Sequence, residues 1–318
     1  MTDPITFDDV LEGRSAITGK LHYTPVFTSS VLTRRLGAKL ALKAECLQKT
    51  GSFKPRGVLN RLRALTDEEK SRGLITVSAG NHAQALAWGA RQVGAACTVV
   101  MPANAPRSKA AAAESYGATV ILHGAMAETF AKMEELRQER NLTLVHPFDD
   151  PLIIAGQGTL GIEIVEQIPD MTKVVVPIGG GGLISGVALA VKRLRPGAKV
   201  YGVEPVGADS MFRSFAEGRP VRLEKIETIA DGLSAPYASE LTYTLAREYV
   251  DEVVTVTDED LVEAMRLTLA HAKLLAEPAG AAGVAALVSG KIPLAPADTV
   301  VAVLSGGNID LERLKTIL

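Results

Sequence analysis

At 318 residues the chain is long enough for roughly two domains of about 150 residues each. Its 34 basic and 36 acidic side chains leave a net charge of −2, which excludes the basic balance of a nucleic-acid-binding protein, and 47% hydrophobic residues exclude a disordered chain. No stretch offers about 18 strongly apolar residues in a row, so no membrane span is expected. The acidic N-terminus lacks a secretory pattern and the two cysteines, Cys46 and Cys97, suit a reducing compartment, so a cytoplasmic location is expected. With 29 glycines against 4% aromatic residues, backbone is being kept bare somewhere.

In chain order, the first clear signal is a capping box from Thr66 to Glu69. From residue 74 short β-branched runs alternate with helical stretches: LITVSAG, NHAQALAWGARQVGA, CTVVMP, RSKAAAAESYGA, TVILHG. Gly94 and Gly117 each end a helical run and suit a left-handed C-cap. The alternation resumes with KVVVPIGGGG, LISGVALAVKRLRPGA and KVYGVEP, and a second capping box spans Thr257 to Asp260. Such βαβ units predict an α/β fold of mostly parallel sheet covered by helices. The charge-rich segments Lys132 to Arg140 and Asp258 to Glu263 fit solvated helix faces. No tether-like linker occurs, so two domains would be interleaved by the chain.

Four glycine-bearing clusters could carry chemistry. Gly179-Gly180-Gly181-Gly182 ends a strand and opens a helix, where bare amides and the helix dipole favour an anion. It misses G-x-G-x-x-G and has no P-loop lysine, so a small phosphate monoester fits better than a nucleotide. In Thr50-Gly51-Ser52-Phe53-Lys54-Pro55-Arg56-Gly57, Pro55 marks a first helical turn and disfavours helical angles at Lys54. A lysine at that mouth, beside Phe53, has its pKa lowered toward nucleophile or base use. In Ser78-Ala79-Gly80-Asn81-His82, Asn81 suits an N-cap, and the helix start offers amides to a carboxylate. Ser305-Gly306-Gly307-Asn308 follows another strand, and such strand ends share one crevice in open α/β sheets. Together these are the parts needed to hold a phosphorylated aldehyde on a lysine beside an amino acid. Neither H-E-x-x-H, C-x-x-C nor G-x-S-x-G occurs.

GSFKPRG, SAGNHAQ, HPFDD with IAGQGT, GGGGL and SGGN stand in an order that resembles the fold-type II pyridoxal-phosphate enzymes, in particular threonine dehydratases and serine racemases, from about Thr24 to Asn308. The resemblance implies two parallel-sheet α/β domains of the tryptophan synthase β-like architecture, with pyridoxal 5′-phosphate in the interdomain cleft. Residues 1–70 plus 150–318 would form the large domain and 71–149 a small mobile one, with no C-terminal regulatory domain. It implies that Lys54 carries the cofactor and acts on the substrate Cα proton. Phe53 would pack beside the ring, Asn81 would bond its 3′-oxygen, and Ser305 would meet its nitrogen. Gly179 to Gly182 and Leu183 would hold the phosphate, with Gly232 and Glu277 also on the cofactor side. Ser78, Ala79, Gly80, Asn81 and His82 would bracket the substrate.

The implied activity is β-elimination of a small β-hydroxy amino acid, L-threonine or L-serine first, to a 2-oxo acid and ammonia. Another hydroxy amino acid such as 3-hydroxyaspartate or phenylserine is an alternative, as is serine racemisation. More distant alternatives are a nucleotide-dependent oxidoreductase and a non-catalytic ligand-binding protein. Racemases of this kind place a serine where Ala79 stands, which favours a dehydratase, because alanine cannot shuttle a proton. Many relatives hold a divalent cation through a Glu, here Glu204, and an Asp six residues on, where this chain has Ser210 with Asp209 beside it. The expected assembly is a homo-oligomer, a dimer or tetramer.

Overall fold

The computed structural model describes residues 5–318. Thr6 and Asp9 exchange capping bonds at the start of α1 (Phe7–Ile17). A short strand β1 (Val26–Thr28) leads to α2 (Ser30–Leu36) and β2 (Lys39–Ala44). Helix α3 (Pro55–Arg63) starts on Pro55, whose fixed φ suits a first helical position, and α4 (Asp67–Arg72) carries the predicted Thr66–Glu69 capping box.

Strand and helix then alternate through β3 (Leu74–Val77), α5 (Asn81–Gln92), β4 (Cys97–Met101), α6 (Arg107–Ser115), β5 (Thr119–Leu122), α7 (Met126–Glu139) and β6 (Thr143–Leu144). The second half runs α8 (Pro151–Gln167), β7 (Lys173–Pro177), α9 (Gly182–Leu194), β8 (Lys199–Pro205), α10 (Ser210–Glu217), α11 (Glu240–Tyr249) and β9 (Glu252–Val256). It closes with α12 (Asp258–Ala272), α13 (Pro278–Val288), β10 (Thr299–Leu304) and α14 (Leu311–Ile317). Gly94 and Gly117 are left-handed, with φ of 69° and 100°, and Thr257 and Asp260 form the second predicted capping box.

Strands β3 to β6 make one sheet in the order β5-β4-β3-β6, with every pair parallel. The others make a second sheet, β1-β2-β10-β7-β8-β9, parallel except where β1 meets β2. The expected α/β architecture of two parallel sheets is therefore present. Period-two alternation splits the larger sheet between two cores: Leu40, Leu42, Val175, Val300 and Ala302 face α12 and α13, while Val174, Val176, Val301 and Val303 face α8 and α9. One face of the smaller sheet packs Leu74, Val99 and Met101 against α5. That core also takes in Val58 and Leu62 of α3, Leu65, and Ile153 of α8, so it reaches beyond the 71–149 segment.

Candidate active site

Three strand ends lead into the candidate site: β7 runs into the tetraglycine, β10 into Ser305, and β3 into Ser78. The segment leading to Lys54 is stitched to the end of β10. Ser52 bridges Gly306, the Phe53 amide donates to the Ser305 carbonyl at 3.0 Å, and the Gly307 amide donates to Gly51 at 2.9 Å. Lys54 occupies the N-cap position of α3 with helical angles, φ −52° and ψ −36°, against the expectation from Pro55. Tertiary pinning on both sides overrides the local preference. Its Nζ lies 5.1 Å from the Phe53 ring centroid and donates to the Pro147 carbonyl at 2.9 Å. Burial pushes the amine down to about 8.

The tetraglycine begins α9 without any side-chain cap, leaving the first-turn amides free for an anion. Gly181 has φ +91°, and a Cβ on Gly180 would strike the Phe148 ring, while one on Gly182 would lie 3.0 Å from the Phe148 carbonyl oxygen. Only glycine fits this cradle. A Cβ on Gly179 would come within 3.2 Å of the Gly232 carbonyl, which places Gly232 against the loop. Leu183 follows in the first turn of α9 and is buried. The turn 146–148 therefore touches both Lys54, through Pro147, and the glycines, through Phe148. Phe148 is held edge-on to His146 and Tyr237, with ring centroids 4.7 and 5.6 Å away.

Asn81 is not an N-cap: Gly80 takes that position, and Asn81 starts α5 with its side chain directed across the crevice. Its Nδ2 donates to Glu277 at 2.5 Å, and its Oδ1 accepts from Asn308 at 2.8 Å. These long-range partners outcompete a local cap. Burial pushes the Glu277 carboxyl up to about 7. The same cluster lines a cleft of about 730 Å³ that also holds Gly80, Gly232 and Gly307. At its mouth Lys109 pairs with Asp231 at 2.6 Å, and Arg313 pairs with Asp231 as well. In the 78–82 loop, Ser78 Oγ accepts from the Gly80 amide at 3.2 Å and Ala79 packs against the core under the smaller sheet. His82 is buried with Nε2 3.0 Å from the Val145 carbonyl and Nδ1 unpartnered; burial pushes its pKa down to about 3, so it is neutral. Ser305 is buried at the end of β10.

Glu204 and Asp209 stand outside this set. Glu204 is fully buried and caps the start of α10, accepting from the amides of Met211 at 3.0 Å and Phe212 at 2.7 Å, and burial pushes its pKa up to about 8. Asp209 pairs with Arg213 at 2.8 Å. Among the described residues no three His, Cys, Asp or Glu side chains gather as a metal site. These residues do not fit a divalent cation.

Residues 17–306 match the family described as pyridoxal-phosphate dependent enzyme. The chain belongs to this family. It is 44% identical to the L-threonine ammonia-lyase of Thermotoga maritima over 315 residues, 99% of this chain and 78% of that one. A maize serine racemase structure superposes with a TM-score of 0.94 at 38% identity, covering 98% and 96% of the two chains. A T.th. threonine deaminase structure gives 0.91 at 42%, covering 96% and 99%. The site suits pyridoxal phosphate: an uncapped glycine cradle that side chains would fill stands across one turn from a buried amine. The HPFDD motif carried the one signal for Pro147 and Phe148, whose contacts the sequence left unread. No described helix of this pyridoxal-phosphate enzyme is long and apolar enough to cross a membrane.

Proposed function

We propose that this enzyme is an amino-acid ammonia-lyase that converts L-threonine, and L-serine as the second substrate, to the 2-oxo acid and ammonia. The observation that carries the proposal is the meeting of the Lys54 amine and the bare tetraglycine on the single turn 146–148. Pyridoxal phosphate, when bound, supplies an electron sink that acidifies the substrate's Cα proton. The amides of Gly179 to Leu183 would hold its phosphate, and Phe53 would pack beside its ring. Asn81, oriented by Glu277 and Asn308, would donate its remaining N–H to the ring oxygen. The Ser305 hydroxyl, buried at the end of β10, would offer the ring nitrogen a neutral hydrogen bond, making the cofactor a weaker electron sink than a charged partner would. Lys54 Nζ takes the Cα proton, and an amine near pKa 8 is partly neutral at working pH. The amides of the 78–82 loop, at the start of α5, receive the substrate carboxylate.

The maize racemase supports a second reading, racemisation of serine, which needs an acid on the face opposite Lys54. Ala79 has no hydroxyl to act as that acid and only packs against the core beside the smaller sheet, so elimination is preferred. The same proposal has the 71–149 segment closing over the cleft, a homo-oligomeric assembly, and a reducing cytoplasm in keeping with free Cys46 and Cys97. The test is 2-oxobutanoate formation from L-threonine with the visible band of the loaded protein. In Lys54→Ala the band disappears and turnover falls about a hundredfold or more. A retained band rejects the role of Lys54, and D-serine as the main product from L-serine selects the racemase.

A further inference from the structure

Two residues beyond Lys54, the Arg56 side chain is fully buried between two carboxylates. Its Nε and Nη2 donate to the oxygens of Glu45 at 2.7 and 2.8 Å. Its Nη1 and Nη2 donate to those of Glu163 at 2.7 and 2.9 Å, with Thr159 Oγ1 a further 3.3 Å contact of Nη1. All five guanidinium protons are thereby directed at oxygen. Lys43, also fully buried, donates to Glu163 at 2.6 Å and to Gln167 Oε1 and the Thr24 carbonyl at 2.8 Å each. The cluster ties β2, the turn after it, α3 and α8 together.

Two positive and two negative charges cancel, and desolvation rather than this cluster lowers the Lys54 amine. Stability alone does not account for the arrangement, since desolvation offsets most of the attraction in a buried pair and apolar side chains of similar volume serve as well. Direction is what apolar contacts lack: two facing carboxylates fix the plane and height of a guanidinium, which an ammonium cannot reproduce. Residues 53–55 lie between this double fork and the Ser52–Gly306 bridge, clamped at both ends. Within that clamp Lys54 keeps the helical angles that a following proline disfavours.

We infer that Arg56 is a positioning residue for Lys54: the Glu45–Arg56–Glu163 fork fixes the first turn of α3 so that the Lys54 amine stays on the Pro147 carbonyl and faces the glycine cradle. This rests on Lys54 being the cofactor-bearing lysine. The test compares wild type with Arg56→Lys, which keeps the charge and loses the fork. Where that variant does not fold, Glu45→Gln, which weakens one arm only, takes its place.

In the cofactor-free protein, the rate at which acetic anhydride labels Lys54, followed by mass spectrometry, rises about threefold or more as the amine leaves its seat. In the loaded enzyme kcat falls about tenfold or more while KM changes less than about threefold. A wild-type labelling rate in folded variant protein overturns the inference, as does a kcat loss matched by the unfolded fraction. Borohydride reduction of the loaded wild type, followed by peptide mapping, checks the underlying assignment separately. A mark on another lysine rejects the role of Lys54 in catalysis, while the labelling rate still decides whether Arg56 seats it.

Discussion

Gly180→Ala probes the proposed phosphate cradle directly. The new Cβ falls on the Phe148 ring, well inside van der Waals contact. The ring cannot step aside freely, because His146 and Tyr237 hold it edge-on and its own backbone lies against Gly182. Forcing one methyl into such packing costs about 1–3 kcal/mol. If the loop gives way, that sum appears in cofactor affinity as a weakening of about 5- to 150-fold. If the ring gives way, it appears in the stability of the cofactor-free protein. Titration of that protein with pyridoxal phosphate, alongside thermal unfolding, measures both. Gly197→Ala, whose Cβ meets open space, is the control. Phe148→Ala in the Gly180→Ala background should recover about 1 kcal/mol or more as a coupling energy. Wild-type affinity and stability in Gly180→Ala would refute the cradle geometry.

The Lys54 amine has a folded pKa near 8 against an ordinary 10.5, so the folded state binds fewer protons than the unfolded chain between those values. Stability conferred by that residue is therefore lowest below pH 8 and rises toward pH 10.5, by up to about 3 kcal/mol. Lys54→Met should make the cofactor-free protein more stable at pH 7, with the advantage vanishing by pH 10.5; an advantage that does not change with pH contradicts the burial argument. Glu204 already commits its oxygens to two amides, so EDTA or millimolar magnesium should leave the melting temperature unchanged. A Ser210→Asp variant is expected to gain a magnesium-dependent rise, and a rise in the unaltered protein counts against this view of Glu204.

Local chemistry was legible in the chain. Strand, four glycines and helix are contiguous, so a bare glycine turn opening an uncapped helix follows from the sequence without any tertiary contact. Capping boxes at Thr66 and Thr257 involve partners three residues apart and formed as expected. What failed involved partners far along the chain. Asn81 has the chemistry of a cap, but Glu277, 196 residues away, claims its amide. Lys54 departs from the rule for residues before proline because Gly306 and Glu163 bracket its neighbours from distant elements. Arg56 gave no signal, since an arginine beside a proline is usually solvated and its two carboxylates are invisible to local pattern.

Helix α3 presents two unlike faces. Through Arg56 it is locked to α8 by bonds that fix both angle and height, whereas Val58 and Leu62 meet α5 at Gly89 through apolar contact alone. Apolar contact has no preferred direction, and the missing side chain of Gly89 leaves a smooth seat. The two sides of one helix are thus held by different physics, the side next to the lysine by directed bonds and the opposite side by close apolar packing. Any closure of the proposed 71–149 domain would therefore load the apolar side of α3 first and leave the Arg56 bonds to α8 intact.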